Sequence, residues 1–265
     1  MDALAGATAC LVRVESTEGS APREAGAWMA VFADHIVGTI GGGHLELQAI
    51  AEARRQLAGV PGPARQRYAL GPALGQCCGG VVHLGFELLS TADPAAAAGL
   101  RARLAPQLHP VALFGGGHVG HALARVLAPL PFALTWIDSR NGIFPNPVPE
   151  GVVCEHSEPV QQAVPHLAPG SRVLIMSFSH AEDLDVVAAC LRRQREQGDL
   201  PFIGLIGSKT KWATFSNRLI GRGFAQDELA QVTCPIGIPG IEGKEPDVIA
   251  VSVAAQLLQT LGGAG

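Results

Sequence analysis

The first part of the chain, to about residue 90, combines short strands with one amphipathic helix. Alternating apolar and polar positions among small and β-branched residues predict a strand over residues 8–17. By the same criteria, further strands are predicted at 27–33, 35–40, 65–71 and 81–89. Apolar residues recur every four positions from Leu45 to Leu57 and Gly59 ends the pattern, which predicts a helix. We therefore predict a smaller N-terminal domain of mixed α+β structure, residues 1–90.

Prolines separate this part from the rest of the chain. Pro94, Pro106 and Pro110 interrupt residues 91–110, which predict a connector containing a short helix. We place the domain boundary within this connector.

From Val111 onward, short and wholly apolar strands alternate with helices. The strands are predicted at 111–115, 132–138, 152–157, 172–178 and 201–207. The helices are predicted at 118–130, 181–198, 208–223 and from Pro246 onward, with a weaker one at 158–167. Apolar strands between helices are typical of a parallel sheet covered on both faces. The fold class is therefore α/β, with a C-terminal Rossmann-like domain, residues 111–265, that includes the final helix.

Composition narrows the class of protein. Apolar residues make up 48% and charged residues 16%, which favours a folded core over disorder. With a net charge of −4 and 5% aromatic residues, the chain has no basic stripe for nucleic acid. It has neither a secretory pattern at the start nor an apolar run of the ~18 residues that span a membrane, so we expect a cytoplasmic protein without a membrane partner. The six cysteines include no CxxC pair, which argues against a zinc ribbon.

A glycine-rich loop follows the first strand of the predicted Rossmann domain. Gly115, Gly117 and Gly120 form a GxGxxG pattern that opens a helix, and Asp138 closes the next strand. In a dinucleotide site the glycines let backbone amides approach the pyrophosphate, and the acidic residue accepts from the ribose hydroxyls. The pattern thus favours a Rossmann fold more strongly than NAD(P) binding, because close helix packing alone would also need these glycines. We expect His118 to face the ligand crevice.

The tetrapeptide GGGH, which opens this loop at 115–118, also occurs earlier at 41–44, again between a strand and a helix. Gly41, Gly42, Gly43 and His44 could form an anion-binding loop at a helix start. Glu46 opposes that unless its carboxylate points away or binds a ligand amine. The alternative is a tight turn that serves only packing.

Other candidates are polar side chains at strand ends and in loops. Ser179, His180 and Lys209 follow predicted strands at the sheet edge where open α/β sheets bind ligands. The alternatives are a helix cap for Ser179 and a solvated charge for Lys209. Arg23 lies in a turn-rich loop and could hold a phosphate or a ring edge bidentately, or could be solvated.

Two adjacent cysteines stand in the segment QCCGG. Cys77 and Cys78 could contact a soft metal, carry sulfur, form a strained vicinal disulfide, or pack as small apolar residues. A reducing compartment argues against the disulfide. If the segment is extended, successive side chains face opposite sides, so only one thiol can face a ligand.

Seven stretches together resemble the xanthine dehydrogenase accessory factors, the XdhC/CoxI family. They are GSAPREAGAWM (19–29), VGTIGGGHLE (37–46), LGQCCGG (74–80), FGGGHVGHALA (114–124), SHAEDLD (179–185), FIGLIGSKTKW (202–212) and CPIGIPGIEGKEPDVIAVSVAAQLL (234–258). They occur in the family's order along nearly the whole chain. One departure is His44, because many relatives have a cysteine at that position.

The resemblance implies a function that composition and spacing do not show. Family members look like chaperones that bind molybdenum cofactor (molybdopterin), assist the exchange of an oxo for a sulfido ligand, and deliver the cofactor to apo xanthine dehydrogenase. A cysteine desulfurase supplies the sulfur, and a homodimer is expected. The resemblance thus implies an accessory protein rather than an enzyme, with Cys77 or Cys78 near molybdenum. The alternative is an NAD(P)-dependent oxidoreductase that uses the 115–120 loop.

Overall fold

The computed structural model of the protein describes residues 8–71, 79–90, 104–105 and 107–262. The chain divides into two compact units, residues 1–105 and residues 106–265. None of the helices within these described ranges is long and apolar enough to cross a bilayer.

The first unit is an antiparallel sheet with a helix on one face. Its strands are β1 (Thr8–Glu18), β2 (Trp28–Val31), β3 (Ile36–Gly38), β4 (Arg65–Ala69) and β5 (Val81–Ser90), in the order β3-β2-β1-β5-β4. Helix α1 (Gly43–Leu57) buries Leu45, Ala49 and Ala53 against alternate residues of β1, among them Cys10 and Val12. The apolar side chains that recur at every second position of β1 and at every fourth position of α1 thus share one core.

The second unit is a parallel six-stranded sheet. Its strands are β6 (His109–Phe114), β7 (Phe132–Asp138), β8 (Val152–His156), β9 (Arg172–Ile175), β10 (Phe202–Leu205) and β11 (Val232–Thr233), in the order β11-β10-β9-β6-β7-β8. Its helices are α2 (His118–Leu127), α3 (His180–Gln197), α4 (Lys209–Gly221), α5 (Gln226–Leu229) and α6 (Pro246–Gln259), with a 3₁₀ helix at Val160–His166. The strand order reverses between β6 and β9, as in doubly wound folds.

Both faces of this sheet are covered, as the apolar strands predict. Successive residues of β6 point to opposite faces, and each face has its own core. Leu113 packs with residues of α2 and α6, whereas Phe114 packs with residues of α3 and α4. The predicted α/β class with a Rossmann-like second domain and a mixed α+β first domain is confirmed.

Several elements differ in bounds or type from the sequence predictions. β9 ends at Ile175 rather than at residue 178: the Met176 amide still donates to the Phe114 carbonyl of β6, but the amides of Ser177 and Phe178 donate to carboxylates of α3. The segment predicted as a weak helix at 158–167 is a 3₁₀ helix that contains Pro165, which has no amide to donate. β6 begins at His109, two positions before the predicted domain start. The short β11 and α5 have no periodic signal in the sequence.

Candidate functional site

The glycine loop of the second unit lies where the strand order reverses. It follows β6, whose neighbours in the sheet are β9 and β7. Open α/β sheets bind ligands at the carboxyl ends of their strands at this kind of switch point. The loops after β6, β7 and β9 therefore form the candidate site of this unit.

Two glycines of this loop are required by close packing. Gly115 has φ +122°, and a Cβ there would collide with the carbonyl oxygen of Met176. A Cβ at Gly120 would collide with the carbonyl oxygen of Gly115, so α2 packs closely against the strand end. The same carbonyl accepts a hydrogen bond of 2.9 Å from Nε1 of the buried Trp136.

The first turn of α2 is open. Gly117 is its N-cap residue, is exposed, and has nothing within 4 Å of a Cβ position. No side chain caps the helix, and the first turn contains no acidic residue. His118 is exposed beside it. Free amides and the positive end of the helix dipole make such a turn suitable for an anion.

Asp138 is saturated with hydrogen bonds. Its side chain is 1% exposed. One oxygen accepts from the amide and Nε of Arg140 at 2.8 and 2.9 Å, and the other accepts from Arg140 Nη2 at 2.9 Å and from the Gly116 amide. Burial raises the pKa of Asp138, but the hydrogen bonds from Arg140 and Gly116 outweigh it and hold the pKa below the ordinary value. A ribose hydroxyl would have to displace one of these donors.

The loop after β9 is tied to α3. Ser179 caps α3, since its hydroxyl accepts from the Glu182 amide at 3.2 Å. His180 is exposed, with its ring edge toward Phe215 at 6.3 Å. Lys209, the first residue of α4, is also exposed. Ser179 thus has the capping role considered as the alternative, and the ligand roles of all three residues stay predictions.

A buried ion pair near this edge was missed by sequence reasoning. Lys211 Nζ lies 2.7 Å from Asp183 Oδ2, with side chains 13% and 3% exposed. Lys211 also donates to the Ile206 carbonyl at 2.8 Å, and the Ser177 amide donates to Asp183 Oδ1 at 2.7 Å. The pair therefore joins the ends of β9 and β10 to α3 and α4. The sequence did offer one signal of this pair: Asp183 stands four residues before Val187, so an acidic residue falls on the apolar face of α3.

Cys234 lies close to this pair. Burial raises the pKa of the Cys234 thiol, while the nearby Lys211 lowers it and the nearby Asp183 raises it, with a net upward shift. The thiol is therefore neutral at pH 7, which disfavours a nucleophilic role. No group of three or more His, Cys, Asp or Glu side chains that could hold a metal occurs among the described residues.

In the first unit, three motifs that are distant in sequence meet at one end of the sheet. A Cβ at Gly41 would lie 2.5 Å from Pro22 Cβ and 3.1 Å from Arg23 Cγ. A Cβ at Gly80 would collide with the Ser20 carbonyl oxygen. The loop after β1, the glycine loop before α1 and the start of β5 are therefore neighbours. Cys77 and Cys78 themselves lie outside the described residues, shortly before Gly80.

The 41–43 loop is closed by Glu46. Its Oε2 accepts from Thr39 Oγ1 at 2.5 Å and from the amides of Ile40 and Gly42 at 3.0 Å each. Burial raises the pKa of Glu46, but these hydrogen bonds outweigh it and lower the pKa from the ordinary 4.5. The loop amides thus already have an anion from within the chain. The exposed His44 is next to this closed loop.

We expect Glu46→Gln to destabilise the first unit at pH 7 by about 1 kcal/mol, because an amide is a weaker acceptor than a carboxylate. The lowered pKa means that the contribution of Glu46 is complete above pH 4.5 and is lost as the pH falls through the folded-state value. Urea unfolding at several pH values measures this. The difference between wild type and Glu46→Gln should disappear in acid, and a difference that persists there would contradict the assignment. Glu24→Gln, at an exposed loop position, is the control.

Comparison with known proteins gives the family. Residues 111–257 match the model of the XdhC Rossmann domain, and residues 3–69 match the model of the XdhC and CoxI family. The chain belongs to the XdhC family. The two matches occur in the two units described above, with the glycine loop and Asp138 inside the first match and Arg23, the 41–43 loop and Glu46 inside the second.

Individual relatives extend over different lengths. This XdhC-family chain is 30% identical over 254 residues to YqeB of Escherichia coli K12, which is described as uncharacterized; the match covers 94% of this chain and 43% of YqeB. The chain thus spans less than half of that relative. A crystal structure from Bacillus halodurans, described as a xanthine dehydrogenase, matches with a TM-score of 0.78 at 18% identity, covering 98% of this chain and 93% of the other. A likeness at this identity shows the fold.

Proposed function

We propose that this XdhC-family chain is an accessory protein of xanthine dehydrogenase that binds molybdenum cofactor as its cargo. In this proposal it holds the cofactor while a molybdenum oxo ligand is exchanged for sulfido, with a cysteine desulfurase as the sulfur source. It then delivers the cofactor to the apo enzyme. A homodimer is part of the same proposal. Membership of the family, across both units, supports this role over other uses of a Rossmann fold.

The observation that carries the cofactor assignment is the open first turn of α2. Molybdopterin carries a phosphate, and the amides that follow Gly117 are suited to bind it. The other glycine loop is less suited, because Glu46 occupies its amides and would repel a phosphate. We therefore assign the phosphate to the 115–120 loop.

A second observation supports a polar ligand at this switch point. Ser177 Oγ is buried and has no hydrogen-bond partner among the described residues. The Ser177 backbone is next to the glycine loop, since a Cβ at Gly115 would lie 3.1 Å from the Ser177 amide nitrogen. Buried hydroxyls without a partner are rare, and a ligand atom would satisfy this one.

The saturated Asp138 disfavours the alternative of an NAD(P)-dependent oxidoreductase. A dinucleotide site needs this carboxylate to accept from ribose hydroxyls. Here Arg140 and Gly116 use both oxygens. An anionic ligand that leaves Asp138 in place requires no such exchange.

A separate cluster, in the first unit, is proposed to serve the sulfuration step. Arg23 is exposed beside Gly41 and can donate to an anionic or carbonyl group. Thiolates are the soft ligands that suit molybdenum and sulfur transfer, so we assign that role to Cys77 or Cys78. His44 has no thiol to contribute.

Purification from a molybdate-fed host tests the proposal. We expect the chain to carry molybdenum and pterin together and to activate apo xanthine dehydrogenase when a cysteine desulfurase and cysteine are added. Omitting the desulfurase should leave the delivered enzyme inactive. A chain that retains no pterin and activates nothing would overturn the proposal, and tight binding of NADH with hydride transfer would favour the alternative.

Separate replacement of Cys77 and Cys78 by serine is expected to have unequal effects. If the segment is extended, one thiol faces the cargo and the other faces away, so one variant should lose most of its bound molybdenum and the other little. Metal analysis of both purified variants measures this. If both variants lose equally little molybdenum, neither cysteine contacts the cargo and both serve only packing.

A further inference from the structure

Phe178 presents an exposed aromatic ring at the switch point. Its side chain is 65% exposed, and it follows β9, beside the strand that leads into the glycine loop. A single exposed apolar residue is ordinary on a protein surface. The position of this ring at the ligand-binding edge of the sheet, and the way it is held, set it apart from the other exposed apolar side chains.

The backbone that carries the ring is fixed on both sides. The Phe178 amide donates to Glu182 Oε2 at 3.1 Å, and the preceding amide, of Ser177, donates to Asp183 Oδ1 at 2.7 Å. Glu182 also accepts from Ser139 Oγ at 2.6 Å, which ties the loop after β9 to the loop after β7. The ring therefore stands on a loop that is anchored to α3 and, through Glu182, to the loop after β7.

One face of the ring is covered by a guanidinium group. Arg140 Cζ lies 4.5 Å from the centroid of the Phe178 ring, within the range of a cation–π contact. Arg140 is itself held by the buried Asp138, whose carboxylate also binds the Gly116 amide. Asp138 and Arg140 thus connect the glycine loop to the ring. Nη1 of Arg140 makes no hydrogen bond to any described residue, so it remains free to donate to a ligand.

We propose that Phe178 and Arg140 form a stacking platform for the flat heterocycle of the ligand bound at this switch point. The inference rests on the proposed function, in which that heterocycle is the pterin of the cofactor. A rigid exposed ring loses little conformational freedom on stacking, and stacking on aromatic side chains tolerates many heterocycles. The same chemistry would accept the adenine of a dinucleotide, so the test includes both sources.

Replacement of Phe178 provides the test, because an exposed side chain can change without disturbing the core. The probes are a stable oxidised pterin phosphate prepared from molybdenum cofactor, and NADH. Affinity is measured by fluorescence anisotropy of each probe with the full chain. We expect Phe178→Ala and Phe178→Leu to bind the pterin phosphate about tenfold more weakly, and Phe178→Trp to bind it as well as wild type. Leu47→Ala, at an equally exposed apolar position on α1, should change nothing.

The leucine variant separates stacking from burial of apolar area. It retains an apolar side chain of similar size but has no π-face, so a plain apolar contact would leave its affinity near that of wild type. If Phe178→Ala and Phe178→Leu both bind the pterin phosphate as tightly as wild type does, the platform is overturned and the proposed function is left intact. If the losses appear with NADH while the pterin phosphate never binds, the platform stands and the proposed function fails. If neither the pterin phosphate nor NADH binds to wild type, both the platform and the proposed function are overturned.

Discussion

Replacing Lys211 with methionine is expected to lower the free energy of unfolding of the second unit by about 3–5 kcal/mol. The substitution keeps the aliphatic chain but leaves the Asp183 carboxylate, 3% exposed, without its cation. An unpaired buried charge is one of the largest single-site penalties in a folded protein. Denaturant unfolding followed by far-ultraviolet circular dichroism measures the change.

Two controls make this result specific. Arg125→Met removes a cation from a pair with Asp247 in which both side chains are mostly exposed, 65% and 79%, and should cost about 1 kcal/mol or less. The double variant Lys211→Met/Asp183→Asn removes both charges and should be more stable than Lys211→Met alone. A double variant that is less stable than the single one would show that the two groups do not act as a pair.

Gly120→Ala is expected to have the second large effect. A methyl group there would collide with the Gly115 carbonyl, so α2 must move away from the end of β6. We expect a loss of about 1–3 kcal/mol of stability from overpacking. Because the amides proposed to bind the phosphate move with α2, the affinity for a phosphate-bearing ligand should fall by about tenfold or more.

The matched control for Gly120→Ala is another helical glycine. Gly221 ends α4, and a Cβ at that position meets nothing within 4 Å. Gly221→Ala should therefore leave stability unchanged or slightly raised, since alanine favours the helix. Thermal unfolding and pterin phosphate binding of both variants measure these effects. A Gly120→Ala chain that unfolds and binds like wild type would show that α2 tolerates the methyl group, contrary to the packing described.

The sequence was sufficient for the architecture because apolar periodicity is a local signal. Wholly apolar strands between helices predict the parallel sheet, and the recurrence from Leu45 to Leu57 predicts α1. The end of β9 was beyond that signal. Residues 176–178 are as suitable for a strand as those before them, but the amides of Ser177 and Phe178 donate to the carboxylates of Asp183 and Glu182 and not to the sheet.

The site predictions were incomplete because the hydrogen-bond partners of side chains cannot be predicted from the sequence. GGGH occurs twice, and both copies suggest anion binding from sequence alone. The chemistry differs because Glu46 fills one loop with its own carboxylate, whereas Gly120 at the corresponding position of the other lets a helix pack closely and leaves its first turn open. Neither the direction of the Glu46 side chain nor the partner of Asp138 can be deduced from spacing.

The indole of Trp136 gives the protein an optical reporter of its own. It is fully buried, donates its only N–H to the Gly115 carbonyl, and packs edge-on against His121 and Phe144 at centroid distances of 4.9 and 5.2 Å. Indole emission responds to its hydrogen bond and to nearby groups. If the proposed cargo moves this loop on binding, we expect the emission of Trp136 to change, so that binding can be followed without a label once the contributions of Trp28 and Trp212 are subtracted.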